Sequence, residues 1–93
     1  MTYASRRDSN EREIVNFWRR VGCDWIPQSR EAGFDGLLFA PNGMHIVEIK
    51  HPDTRNDLTP RERTTKKNVE FHGDKYNIIT TLAEAAALIG MEI

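Results

Sequence analysis

Residues 34–50 read FDGLLFAPNGMHIVEIK, two apolar runs (34–40 and 44–49) joined by Pro41-Asn42-Gly43. No other stretch restricts the fold as tightly. Asn-Gly between two such runs is the strongest short-range hairpin signal, because both residues tolerate positive φ. A two-residue Asn42-Gly43 loop sets Pro41 against Met44, Leu37 against Glu48 and Asp35 against Lys50. Side chains alternate with a period of two, so Asp35, Glu48 and Lys50 emerge on one face of otherwise apolar strands. A three-residue loop slips the register by one and turns Asp35 to the other face.

Charge on apolar strands costs several kcal/mol unless it is paired or holds a metal. Two carboxylates at this spacing can bind Mg2+ or Mn2+, hard cations that take oxygen ligands and keep several waters. A lysine beside them, a compact point charge, can orient a water and offset charge on a phosphate. The competing reading is a structural Asp35–Lys50 cross-strand pair with Glu48 at a solvated strand end. Glu-x-Lys alone recurs by chance; the Asp35 partner and the hairpin register are what lift it.

Ninety-three residues make one domain with a modest core. The net charge of −1 argues against indiscriminate polyanion binding. Charge is uneven, however. Arg6, Arg7, Arg12, Arg19 and Arg20 weight the N-terminal end, and Arg61, Arg63, Lys66 and Lys67 form a second basic cluster. Basic flanks about an acidic centre suit a metal-dependent enzyme on nucleic acid, or ordinary solvated helix faces. A lone Cys23 excludes an internal disulfide or thiolate cage and fits a reducing compartment. The polar start MTYASRRDSN is no signal peptide, and no apolar run reaches membrane length, so a cytoplasmic domain without a membrane partner is expected.

In chain order, residues 1–8 read as a flexible arm and 9–93 as the single domain. Asp8-x-x-Glu11 has capping-box spacing, and Ile14, Phe17, Trp18 and Val21 form an apolar helical stripe ended by Gly22. Trp25-Ile26-Pro27 is a short edge strand, and the hairpin strands, apolar on both faces, should be covered on both sides. After a loop, Thr59-Pro60-Arg61-Glu62 opens a polar, basic helix running to about Phe71. Residues 76–80 are a strand, and Thr81-Leu82-Ala83-Glu84 opens the closing helix. The order is α-β-β-β-α-β-α, a mixed sheet flanked by helices. Glu11 sits at the edge of the first stripe and can reach inward, whereas Glu13 points away. Trp18 and Trp25 read as core.

Helix acid, Gly33-Phe34-Asp35, Glu48-Ile49-Lys50, Leu58-Thr59-Pro60-Arg61-Glu62 and the run Ile79-Thr80-Thr81-Leu82-Ala83-Glu84-Ala85 together resemble the PD-(D/E)XK nuclease core. More closely, the chain is similar to the virus-type replication-repair nuclease (VRR-NUC) domain, as a stand-alone viral or prophage member. Phe34 stands where that family has proline. Glu62 replaces its glutamine, so that Glu62 is either only a helix cap or a group that tunes metal binding. The resemblance implies a restriction-endonuclease-like fold and a Mg2+- or Mn2+-dependent, structure-selective DNA endonuclease. It would work as a homodimer, on branched DNA such as four-way junctions, in the cytoplasm of a bacterium or phage-infected host. Asp35 and Glu48 would bind the metal, with the Ile49 carbonyl and Glu11, and Lys50 would position the attacking water. Arg61, Arg63, Lys66 and Lys67, with Arg30, would hold phosphates, or else form a solvated face. His51 is a candidate proton-transfer aid or merely a solvated loop histidine. The alternative function is a non-catalytic nucleic-acid-binding scaffold with a vestigial pocket.

Overall fold

A computed structural model describes residues 2–92, with side chains from 10 to 92. The chain forms α1 (Thr2–Arg20), β1 (Asp24–Pro27), β2 (Gly36–Ala40), β3 (Gly43–Ile49), α2 (Pro60–Phe71), β4 (Tyr76–Ile79) and α3 (Leu82–Leu88). Short 3-10 turns at Arg30–Ala32 and Pro52–Thr54 interrupt the two longer connections. The element order is the expected one, and the product is a mixed α/β domain. Its four strands lie in the order β1-β2-β3-β4, with β3 and β4 parallel and the other pairs antiparallel.

The helix of the first stripe begins at Thr2, not near Asp8 or Ser9. Residues 2–8, expected as an arm, therefore continue the helix, and their side chains lie outside the described residues. Glu11 is then in mid-helix, so its anticipated capping-box role does not arise. Gly22 ends α1 as expected: its φ is +92°, and the next amide, Cys23 N–H, donates to the Trp18 carbonyl at 2.9 Å.

One sheet face carries Trp25, Leu38, Val47, Ile49 and Ile79, all buried beneath Ile14 and Trp18 of α1 and Ala85, Ala86 and Ile89 at α3. Trp18 is sealed there. It stacks on Trp25 with ring centroids 5.5 Å apart, and its Nε1–H donates to the Ala85 carbonyl at 3.0 Å. Both tryptophans are core, as their apolar neighbours indicated. The other face is only partly covered. The polar helix α2 lies against β4 and the 3-10 turn at 30–32, leaving Ile26, Phe39 and Met44 exposed. The expectation of cover on both faces fails because α2 has no apolar stripe wide enough to span the sheet.

The hairpin turn is also displaced. Ala40 pairs with Gly43, so the loop is Pro41-Asn42, and the pairs run Phe39–Met44, Leu37–Ile46 and Gly36–Val47. Proline's fixed φ suits the first loop position, Asn42 stays at negative φ, and Gly43 alone takes a positive φ, +128°. Leu37 thus faces Ile46 rather than Glu48, and Asp35 is not opposite Lys50. The slip is by two in register sum, which preserves parity. Asp35, Glu48 and Lys50 stay on one face, and Asp35 moves closer to Glu48.

Candidate carboxylate–lysine site

Asp35 stands just before β2 and is fixed by its backbone on both sides. Its N–H donates to the Val47 carbonyl at 3.0 Å, and its carbonyl accepts from Gln28 N–H at 2.9 Å. The side chain then takes the place of a strand partner: Oδ2 accepts from the Ile49 amide at 2.7 Å. The contact shown for Ile49 at the site is therefore made by its N–H.

Glu48 is 1 % exposed, and neither of its carboxylate oxygens has a hydrogen-bond partner among the described residues. A buried polar atom without a partner costs about 1–3 kcal/mol, more when charged, and asks for a ligand. Burial, and next the charges of Asp35 and Glu62, push its carboxyl from 4.5 up to about 9, against the pull of Lys50. Lys50 Nζ lies 3.4 Å from Glu48 Oε2 and donates to Glu62 Oε1 at 2.9 Å. Its backbone is pinned too, by Lys50 N–H to the Ile79 carbonyl at 3.0 Å and by Asn10 Nδ2–H to the Lys50 carbonyl at 2.9 Å.

Glu62 does two jobs with one atom. Oε1 accepts from the Thr59 amide at 2.9 Å, completing the capping box of α2, and also from Lys50. Burial raises the Glu62 carboxyl, but the Thr59 amide and the Lys50 ammonium outweigh it and hold Glu62 below the ordinary carboxylate range. Glu62 is therefore not only the cap of α2: the same oxygen holds the Lys50 ammonium.

The loop that delivers Asp35 is fastened by three successive carbonyls. Glu31 O accepts from Arg61 Nε at 2.7 Å, Ala32 O from Thr65 Oγ1 at 2.9 Å, and Gly33 O from Tyr76 OH at 2.6 Å. Arg61 and Thr65, four apart, share one face of α2. Gly33 has φ +79°, and a Cβ there would lie 2.1 Å from Thr65 Oγ1, so glycine is required. Burial, then the charges of Glu48, Glu62 and Asp35, push the Tyr76 phenol well above its usual range and keep it a donor.

Glu11 lines a cleft with Trp25 and Pro27, and the α1 side chain bonded to the site strand is its neighbour Asn10. Glu13 is exposed. His51 caps the 3-10 turn at 52–54, its Nδ1 accepting from Asp53 N–H at 3.2 Å. In the basic cluster, Arg63 donates to the Leu58 carbonyl at 2.7 Å and Lys66 pairs with Glu70 at 2.8 Å, while Lys67 and Arg30 are exposed. Asn10, Thr65 and Tyr76 carried no motif signal, because their roles depend on how α1 and α2 dock.

Among the described residues no three His, Cys, Asp or Glu side chains group to hold an ion. What the site offers is two carboxylates, one with both oxygens unpartnered and buried. That donor set fits Mg2+ or Mn2+, which bind through one or two carboxylates and complete their shell with water. Among the described residues no helix is long and apolar enough to cross a membrane. Comparison with protein-family models, curated proteins and solved structures finds no match to this chain.

Proposed function

We propose that the chain is a metal-dependent phosphodiester hydrolase of the PD-(D/E)XK kind, similar to VRR-NUC domains, acting on structured DNA. The observation that carries this reading is the buried carboxylate of Glu48, which accepts no hydrogen bond among the described residues although it lies beside Asp35 and Lys50. A purely structural pair with Lys50 would leave Glu48 Oε1 without a donor at such depth, which is costly. Asp35 and Glu48 would hold Mg2+ or Mn2+, which when bound lowers the pKa of a water and offsets charge on the phosphate. Ile49 N–H keeps Asp35 Oδ2 oriented. Lys50, held by Glu62, supplies a positive charge for the nonbridging oxygen or the attacking water. Action as a homodimer on four-way junctions is carried by the sequence resemblance, and recognition by DNA shape suits a domain this small.

The test is cleavage of labelled four-way junction, flap, duplex and single-stranded DNA with Mg2+, Mn2+ or EDTA, for wild type and Lys50→Ala. Cutting that needs the cation and is lost in Lys50→Ala is expected. Binding without cutting of any substrate would refute the hydrolase and favour a scaffold.

A further inference from the structure

We infer that the cleft between α1 and β1 seats the sugar-phosphate backbone of the nucleic-acid strand leading away from the Asp35/Glu48 site, with Arg12 and Arg19 on its phosphates. This rests on the proposed function and adds to it a second contact surface.

The cleft has a volume of 360 Å³ and is lined by Glu11, Arg12, Asn16, Arg19, Trp25 and Pro27, among others. Arg12, Asn16 and Arg19 are spaced i, i+4, i+7, so they form one row along the helix. All three are exposed, and among the described residues neither arginine makes a hydrogen bond or an ion pair. This contrasts with α2, where Arg61, Arg63 and Lys66 are committed to Glu31, Leu58 and Glu70. Both cations of the cleft are thus without a partner among the described residues, whereas in the basic run of α2 only Lys67 is.

Position ties the cleft to the chemistry. Its lining residue Glu11 follows Asn10, which bonds the Lys50 carbonyl, and its lining residue Pro27 precedes Gln28, which bonds the Asp35 carbonyl. The cleft thus adjoins in sequence the two residues that bond the Lys50 and Asp35 carbonyls. Seven helical residues at 1.5 Å each separate Arg12 from Arg19 by about 10 Å along the axis, so the two long side chains can reach separate phosphates of one strand. The carboxylate of Glu11 disfavours a phosphate at its own level and leaves the two guanidiniums as the seats. Such contacts position a strand without reading its sequence.

The test is binding of labelled duplex DNA, single-stranded DNA and single-stranded RNA in EDTA across a range of KCl. Wild type is compared with Arg12→Gln/Arg19→Gln and, as a second variant, Arg12→Glu/Arg19→Glu. Both pairs are solvent-exposed, and a thermal melt checks that each variant folds. Each lost phosphate contact lowers the slope of log affinity against log salt by about 0.9 on duplex and about 0.7 on single strands. The glutamine pair should lower it by nearly 2, weaken binding at least tenfold at low salt, and raise KM with kcat unchanged when Mg2+ is restored. The ranking of the three probes identifies the strand type that occupies the cleft. An unchanged slope in a folded variant, with wild type binding, overturns the cleft assignment alone. Absence of salt-dependent binding in wild type overturns the proposed function as well.

Discussion

Replacing Glu48 by glutamine keeps the side chain's volume and removes its ability to ionise, at a position 1 % exposed. In the folded chain this carboxyl is pushed up to about 9 from an unfolded value of 4.5, so at pH 7 it is protonated when folded and ionised when unfolded. The raised folded value fixes the sign. Stability from this group is complete below pH 4.5 and is lost as pH climbs toward 9. At pH 7 the loss spans the interval from 4.5, and at 1.36 kcal/mol per unit it amounts to about 3 kcal/mol. Glutamine is neutral in both states and escapes that loss. Glu48→Gln should therefore be the more stable protein in EDTA at pH 7 by about 3 kcal/mol, a rise in Tm of at least roughly 10 °C for a domain this size. Thermal and urea melts of both proteins from pH 5 to 8.5 measure it, and the gap should widen with pH. Adding Mg2+ should raise the Tm of wild type and leave the variant unmoved, because an ion that binds only the folded carboxylates stabilises by mass action. A variant less stable than wild type at pH 7 without cation, by a margin constant with pH, would refute the reasoning. It would make Glu48 an ionised structural partner of Lys50.

Three further outcomes follow from the geometry. Tyr76→Phe removes the donor to the buried Gly33 carbonyl and should cost about 1–2 kcal/mol in urea unfolding; it should also lower activity, because the loop carrying Asp35 loses one of its ties. Gly33→Ala must accept φ +79° and a Cβ 2.1 Å from Thr65 Oγ1, and should cost roughly 2–4 kcal/mol by the same measurement. Burial raises the Glu84 carboxyl, but bonds from Arg55 at 2.6 Å and from the Thr80 amide at 2.7 Å hold it below the ordinary range. Its folded value being depressed, that stabilisation holds at neutral pH and fades as pH falls through the carboxylate range; an acid titration should show Glu84→Gln losing less stability than wild type between pH 5 and 3.

The sequence made the element order readable because each element announces itself locally: the stripe through Ile14 and Trp18, the Thr59-Pro60-x-Glu62 start, and the apolar runs about residue 41. Asp35, Glu48 and Lys50 could be placed on one face despite a misassigned turn, since a register displaced by two leaves parity intact. The turn differs from its Asn-Gly signal because that signal competes with Pro41, which prefers the first loop position and pulls the loop back by one residue. Helix α1 extends beyond its sequence signal, because Asp8-x-x-Glu11 has the spacing of a cap inside a continuing helix. Nothing local marks Asn10, Thr65 or Tyr76. Each binds a backbone carbonyl brought to it from 33 to 43 residues away in sequence, and such partners exist only once helices and sheet have docked. The open sheet face escaped for a related reason: apolar residues on both sides of β2 and β3 indicate what would be best buried, not whether α2 is wide enough to bury it.

The oxygen Glu62 Oε1 belongs to a helix end and to the site at once. Fraying of the first turn of α2, ordinarily an inconsequential local event, would here release the ammonium of Lys50 toward Glu48. Amide-exchange protection at Thr59 is thus a gauge of the lysine's tether: what protects that N–H from solvent is the same carboxylate that restrains the lysine. A ligand that draws Lys50 away from Glu62 leaves the Thr59 amide sole claimant of that oxygen. Occupancy of the site is then legible as a change in exchange rate at the N-cap amide of α2, carried there by Glu62, twelve residues along the chain from the lysine it concerns.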